Sequence, residues 1–166
     1  MKINDLLTAL LKLILLSVVC FSLMSCKEQQ AVVGQSAPDI AAFDLQGNKV
    51  SLSDWKGKTI ILNFWSETCG ICINELKSFE QFMQNYPNNN LHIIAMNIDG
   101  EKIDTQATVT KRKIQLPVVK DQLKISAERY QLIGTPTSFV IDPEGKILYK
   151  FEGLIPPKDL HLLFKG

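Results

Sequence analysis

The chain has 166 residues, of which 46% are hydrophobic, so it can bury the core of one domain of ordinary size. Its 18 basic and 17 acidic residues give a formal net charge of +1 at pH 7. The charge is near neutral and no long basic run is present, which excludes the composition typical of nucleic-acid-binding proteins.

The N-terminus differs from the rest of the chain. Lys2 and Lys12 precede an apolar run, Leu13 to Met24, which ends at Ser25-Cys26. Twelve apolar residues are too few to span a bilayer comfortably but suit the core of a signal peptide. The ending resembles the lipobox of bacterial lipoproteins, which implies that residues 1–25 are removed and that Cys26 carries a lipid. An uncleaved anchor helix starting near Leu6 is the alternative.

After this segment the chain changes to a short polar stretch and then to a domain. Residues 26–33 lack periodicity and are predicted to form a tether, followed by a domain over residues 34–166. Gly34 to Pro38 has turn-forming composition, and Gln46-Gly47-Asn48 separates two short strands, which indicates a hairpin. The Ser53 to Lys58 stretch is predicted to be a capped turn, with Trp55 as a core residue.

The next element joins a strand to a helix through two cysteines. Thr59 to Phe64 is β-branched and aromatic, and apolar residues recur at helical spacing after Cys72. Cys69-Gly70-Ile71-Cys72 therefore lies at a helix N-terminus, where unpaired N–H groups and the helix dipole favour a thiolate. A Cys-x-x-Cys pair in such a β-α-β context is typical of a thioredoxin-like redox motif.

Two other uses of the cysteine pair remain open. A zinc site needs about four ligands, whereas the chain has no second cysteine pair and only two isolated histidines, His92 and His161. A purely structural disulfide would close a loop too short to constrain the unfolded chain strongly.

The rest of the chain alternates strands and helices. Pro136 stands directly before a strand, a position that marks the entrance or edge of a sheet because proline cannot donate to the ladder. Leu116 to Val119 is predicted to be a short edge-like strand. The other predicted elements are a buried strand over 91–98, helices over 105–115, 125–132 and 157–164, a strand ending at residue 142, and its antiparallel return over 147–151.

Several of these features, in this order, resemble the thioredoxin superfamily, and within it the TlpA/ResA-like membrane-anchored thiol-disulfide oxidoreductases. The resemblance covers about residues 34–166. It implies an α/β thioredoxin-like fold, with a central mixed β-sheet flanked by helices and an N-terminal β-hairpin extension. The residues that carry it are Gly34 to Pro38, Leu62 to Trp65, Cys69 to Cys72, Glu75, Gly134 to Thr137 and Phe139 to Gly145.

The resemblance also implies roles for individual residues. Cys69 and Cys72 would be catalytic, and Glu75 would be the acidic residue that this family places near them. Pro136 would be a cis-proline, and the Thr135 backbone beside it would pair with an extended substrate segment. Trp65 is a further expected substrate-binding residue.

Three positions depart from related patterns. The buried aspartate of cytoplasmic thioredoxins falls on Asn63, the usual tryptophan before the first cysteine is Thr68, and the usual proline of the motif is Ile71.

The function that we predict is an extracytoplasmic thiol-disulfide oxidoreductase that reduces disulfides of exported proteins, with apocytochrome c thiols as one implied substrate. Cys69 attacks first and Cys72 resolves the mixed disulfide. We expect no metal or organic cofactor, a membrane electron donor as a second partner, a monomer, and lipid anchoring in the bacterial cell envelope. The alternatives are a peroxiredoxin-like thiol peroxidase and a non-enzymatic copper-handling or redox-sensing module.

Overall fold

The computed structural model describes Thr8 and residues 10–12, 30–87 and 90–165. Cys26 and nearly all of the predicted signal peptide lie outside these residues. Among the described residues, no helix is both long and apolar enough to cross a membrane.

The elements follow the predicted order. The two strands of the hairpin are followed by a short 3-10 helix, Leu52–Trp55, whose capping residue is Ser51. The strands are β1 (Ala42–Asp44), β2 (Lys49–Val50), β3 (Thr59–Trp65), β4 (Leu91–Asn97), β5 (Val118–Lys120), β6 (Thr137–Ile141) and β7 (Ile147–Glu152). The helices are α1 (Gly70–Asn85), α2 (Thr105–Arg112), α3 (Ile125–Arg129) and α4 (Pro157–Lys165).

Within the described residues, seven strands form one mixed sheet in the order β2-β1-β5-β4-β3-β6-β7. Strands β3, β4 and β5 are parallel, whereas β1 pairs with β5, and β6 pairs with β3 and β7, in antiparallel fashion. The predicted thioredoxin-like α/β fold, with a central mixed sheet and an N-terminal hairpin, is confirmed.

The sheet separates two hydrophobic clusters because successive side chains of a strand point to opposite faces. In β3, Ile61 and Trp65 belong to the α1-side cluster, which also contains residues of α1 and α4. Leu62 and Phe64 belong to the α3-side cluster, together with Tyr130. Strand β3 is buried on both faces, which explains its nearly continuous apolar sequence.

The prediction of β5 as an edge-like strand was wrong. β5 lies inside the sheet, between β4 and β1. Phe43 and Asp44 of the hairpin pair with Lys120 and Val119, and so cover the edge that β5 would otherwise expose. Helix α2 is also shorter than predicted, because Lys113 adopts a left-handed conformation and ends it.

The packed chain begins earlier than predicted. Ala31 is buried, and its N–H donates a hydrogen bond of 2.9 Å to the Arg129 carbonyl. The Gly34 N–H donates a hydrogen bond of 2.8 Å to the Ile147 carbonyl. The predicted tether over residues 26–33 therefore overlaps the packed part of the chain from Ala31 onward.

Candidate active site

Cys69 and Cys72 form a disulfide at the N-terminus of α1. Cys69 is the N-cap residue, and its sulfur accepts a hydrogen bond of 3.3 Å from the Cys72 N–H. The Cys69 side chain is partly exposed, whereas Cys72 is fully buried. Because the helix N-terminus and a backbone N–H both point at the Cys69 sulfur, a negative charge there is stabilised when the bond is reduced.

The loop between β3 and Cys69 is held by the carboxylate of Asp99. The Ser66 hydroxyl donates to one Asp99 oxygen at 2.5 Å, and the Glu67 N–H donates to the other at 2.8 Å. Asn97 donates to that second oxygen at 2.6 Å. Glu67 is held from a further side, since the Thr108 hydroxyl of α2 donates to its carboxylate at 2.7 Å. The residues directly before Cys69 are thus fixed by charge-assisted hydrogen bonds.

The sequence contained a signal for this network. Strands β3 and β4 are parallel neighbours, and Trp65 is in register with Asn97. The residues that follow the two strands therefore meet at one edge of the sheet. Serine after one strand and aspartate after the other are a compatible donor and acceptor. No local motif marks Asp99, and only the pairing of the two strands indicates its role.

The second wall of the site is the loop before β6. The Thr135-Pro136 bond is cis, as predicted. The Thr135 carbonyl oxygen lies 3.6 Å from the Cys69 sulfur. Thr137 is in register with Phe64 of β3, so the antiparallel pairing of β6 with β3 brings this loop to the end of β3. Pro136 itself is buried, whereas Thr135 is partly exposed.

Glu75 is not an exposed helical residue. It is only 5% exposed, and Asn63 Nδ2 donates to its Oε2 at 2.9 Å. The Ile155 N–H donates to Oε1 at 2.8 Å. Burial raises the pKa of this carboxyl above its ordinary value, and the hydrogen bonds from Ile155 and Asn63 oppose part of the shift. Burial and the two hydrogen bonds therefore act on the pKa of the Glu75 carboxyl in opposite directions, and burial is the larger effect.

Trp65 is fully buried in the α1-side cluster and presents no surface to a substrate. Its predicted substrate contact is therefore not supported by its position. Two exposed apolar side chains close to the disulfide were missed instead. Ile71, inside the motif, is 52% exposed, and Ile133, two residues before Thr135, is 88% exposed.

A third exposed apolar residue lies next to a segment that is hydrogen-bonded to the cis-proline. Gly153 donates its N–H to the Pro136 carbonyl at 2.8 Å, and the next residue, Leu154, is 51% exposed. Ile71, Ile133 and Leu154 thus belong to three different segments that meet near Cys69. Exposed apolar side chains on neighbouring segments are typical of a surface that binds another molecule.

No group of three or more histidine, cysteine or acidic side chains in the part of the chain that the structure describes could hold a metal ion. His92 is partly buried on β4, and burial, together with the nearby Lys58, lowers its pKa. The arrangement at Cys69 and Cys72 is that of a two-electron dithiol/disulfide couple.

Comparison with known proteins identifies the family. Residues 33–150 match the model of the AhpC/TSA family. The thiol-disulfide oxidoreductase ResA of Bacillus cereus is 34% identical over 157 residues, which cover 92% of this chain and 91% of that protein. ResA of Bacillus subtilis is 30% identical over 128 residues, which cover 77% of this chain and 72% of that protein.

Solved structures agree with this assignment. A Chlorobium tepidum protein assigned as a thiol:disulfide interchange protein DsbE superposes with a TM-score of 0.71 at 29% identity, covering 82% of this chain and 95% of that one. The thioredoxin domain of a Bacteroides vulgatus thiol-disulfide oxidoreductase gives a TM-score of 0.70 at 29% identity, covering 82% and 97%. The chain therefore belongs to the AhpC/TSA family of the thioredoxin superfamily, and within it to the ResA-like thiol-disulfide oxidoreductases.

Proposed function

We propose that this enzyme reduces disulfides of exported proteins on the extracytoplasmic side of a bacterial membrane. The observation that carries the proposal is the asymmetry of the cysteine pair at the mouth of the site. Cys69 is partly exposed beside the Thr135 carbonyl, whereas Cys72 is fully buried one helical turn on. A partner disulfide can reach the first sulfur but not the second.

The reaction starts from the dithiol form. The Cys69 thiolate attacks one sulfur of the partner disulfide, the partner S–S bond breaks, and its other sulfur leaves as a thiolate that takes up a proton. The Cys72 thiol loses its proton and attacks the Cys69 sulfur, the bond between Cys69 and the partner breaks, and the second partner sulfur leaves as a thiolate that takes up a proton. The partner has gained two electrons and two protons, and Cys69 and Cys72 are again joined.

The helix N-terminus assists the first step because it stabilises negative charge at Cys69 as the attacking group. In the second step Cys69 is the sulfur that is attacked, and the partner thiolate is the leaving group. We propose that the exposed side chains of Ile71, Ile133 and Leu154 contact apolar residues that flank the partner disulfide, a role that their exposure supports. Return to the dithiol requires a dithiol donor, for which we propose a membrane protein.

The direction of electron flow follows from what the motif lacks. Between the cysteines stand Gly70 and Ile71, neither of which has a side chain that could donate a hydrogen bond to a thiolate. A couple becomes strongly oxidising when its reduced form is stabilised. The helix N-terminus alone gives moderate stabilisation, which favours a reductase over a general oxidase. Apocytochrome c, with its paired thiols, is one substrate that fits this direction.

The proposed location rests on the N-terminal sequence. Leu13 to Met24 followed by Ser25-Cys26 has the form of a lipoprotein signal, and a dithiol that reduces protein disulfides suits a compartment where disulfides form. Wild type and Cys26→Ala should differ in detergent-phase partitioning, and intact mass should show a lipid on the wild type alone. A wild type without lipid contradicts the anchor.

The function itself is tested by trapping. In cells that express Cys72→Ser, exported proteins should accumulate as mixed disulfides with Cys69, which appear on non-reducing electrophoresis and disappear with a reductant. Cys69→Ser is the matched control, since it keeps one thiol but places it in the buried position. Equal trapping by the two variants, or peroxide consumption by the reduced wild type at a rate above its disulfide reduction, would contradict the proposal.

A further inference from the structure

The segment that joins the proposed lipid anchor to the domain is very short. Ala31 is already buried and hydrogen-bonded to Arg129, and only four residues separate it from Cys26. Five Cα-to-Cα steps span at most about 18 Å when fully extended. A lipid at Cys26 would therefore hold the surface around Ala31 close to the membrane.

That surface carries exposed aliphatic side chains. Val32 is 49% and Val33 52% exposed, and both lie in a turn that is closed by the Gln35 N–H on the Val32 carbonyl at 3.0 Å. The backbone of the turn is fixed on both sides, by Ala31 on Arg129 and by Gly34 on Ile147. The two valines are therefore presented to the outside by an ordered backbone.

A third exposed aliphatic residue is adjacent in sequence to one of the attachment points. Leu148 follows Ile147, the residue that accepts the hydrogen bond from Gly34, and it is 39% exposed. Water-exposed valine and leucine side chains lose contact with water if they enter the boundary of headgroups and acyl chains. Two or three such side chains are too few to bind a free domain to a membrane. A covalent anchor a few residues away supplies a high effective concentration, so that even a weak contact is populated.

We propose that the Val32–Val33 turn is a second, apolar contact with the lipid surface, which orients the domain on the membrane. The inference rests on the lipid anchor at Cys26 proposed above. With the turn on the membrane, one side of the domain is fixed relative to the bilayer. The Thr135 carbonyl at the site is only six residues from Arg129, the partner of Ala31, which keeps the Cys69 sulfur within about 40 Å of the turn. The enzyme would then act on disulfides presented near the membrane surface.

Tryptophan quenching by brominated phosphatidylcholine tests the contact. The full lipidated protein is incorporated in vesicles of this uncharged lipid, with tryptophan introduced as Val33→Trp or, as the control, as Leu162→Trp. Leu162 is 62% exposed on α4, which packs with the α1-side cluster, whereas Ala31 packs with the α3-side cluster across the sheet. Wild type supplies the background from Trp55 and Trp65.

We expect the quenching of Val33→Trp to exceed that of Leu162→Trp by about threefold or more. Adding Val32→Ser to Val33→Trp should weaken the quenching. Inserting eight glycine and serine residues after Lys27 should also weaken it, because a longer tether lowers the effective concentration of the turn at the membrane. Equal quenching at the two positions, or no effect of the insertion, would overturn the inference. Intact mass, measured on the same samples, shows whether the lipid is present. Its absence overturns the anchor and the contact together, whereas equal quenching of lipidated protein overturns the contact alone.

Discussion

The Glu75 carboxylate accepts a hydrogen bond of 2.8 Å from the backbone N–H of Ile155, a residue 80 positions further along the chain. This bond joins α1, which carries the cysteines, to the segment after β7. The same segment is bonded to the cis-proline loop, because Gly153 donates to the Pro136 carbonyl. A buried carboxylate thus connects α1 with the other two segments near the disulfide, the segment after β7 directly and the cis-proline loop through that segment.

Glu75→Gln should remove a pH dependence of stability. Burial raises the pKa of Glu75 in the folded chain above its ordinary value of 4.5, so the folded state keeps this proton to higher pH than the unfolded state. The stabilising contribution is complete below pH 4.5 and is lost as the pH rises through the folded pKa. In urea unfolding, the free energy of unfolding should decrease less between pH 4 and pH 8 for Glu75→Gln than for wild type.

The variant should keep the fold because the introduced amide can restore the network. Asn63 Oδ1 has no hydrogen-bond partner among the described residues, so a rotated Asn63 amide can accept from the introduced NH₂ group and from the Ser138 hydroxyl. Glu101→Gln, at an exposed turn, is the control and should leave the pH dependence unchanged.

In the dithiol form, Glu75→Gln should also simplify the pH profile of Cys69 alkylation. Identical profiles for wild type and variant would remove Glu75 from the proton chemistry of the site.

Cys69 should be the more reactive thiol of the reduced protein. The helix N-terminus and the Cys72 N–H both stabilise its thiolate, so its pKa should lie below the ordinary value of about 8.5. Alkylation rates against pH, measured in Cys72→Ser for Cys69 and in Cys69→Ser for Cys72, give the two pKa values. Faster labelling of Cys72 near neutral pH would reverse the assigned roles.

Asp99→Ala should slow disulfide reduction without changing either cysteine. The substitution leaves the Ser66 hydroxyl and the Glu67 N–H without their acceptor, so the loop before Cys69 is held less firmly. We expect a loss of about 1–3 kcal/mol in the free energy of unfolding and a decrease of about tenfold in the second-order rate constant, because small displacements of a nucleophile are costly. Glu101→Ala, two residues further on, is the matched control.

The rate and stability effects of Asp99→Ala can be separated. If Asp99 positions the loop, the variant should reduce a small disulfide more slowly than wild type even at temperatures where the variant is fully folded. The pKa of Cys69 is measured by alkylation on the same samples. A full rate at such temperatures would assign Asp99 to stability alone.

The reduction potential of the Cys69–Cys72 couple should lie near the thioredoxin value of about −270 mV rather than the DsbA value of about −120 mV. The reason is the absence of a hydrogen-bonding side chain at Gly70 and Ile71. Equilibration against glutathione buffers, with alkylation and mass analysis, measures it. A matched variant, Ile71→His, adds a hydrogen-bond donor within the motif and should make the reduction potential of the couple less negative.

Local patterns in the sequence predicted the elements well, because strands such as β3 and helices such as α1 have strong periodicity and clear boundaries. They also located the Cys69–Cys72 pair, whereas the cis-proline at Pro136 followed from the resemblance to the thioredoxin superfamily. What they missed depends on distant pairing. The interior position of β5 requires the hairpin to pair with it, and the burial of Glu75 requires Ile155 to approach from the far end of the chain. A glutamate in the first turns of a helix is equally compatible with exposure, so its sequence position could not distinguish the two environments.

The ends of the sheet have a further consequence for the behaviour of the protein in concentrated solution. At one end, β2 is only two residues long. At the other, β7 has a register shift near Ile147 and carries the ion pair Lys150–Glu152, with 2.6 Å between nitrogen and oxygen. Short, irregular or charged edge strands are poor templates for a strand from another molecule. Each copy should therefore resist joining its sheet to that of a neighbour, even where many copies are crowded together.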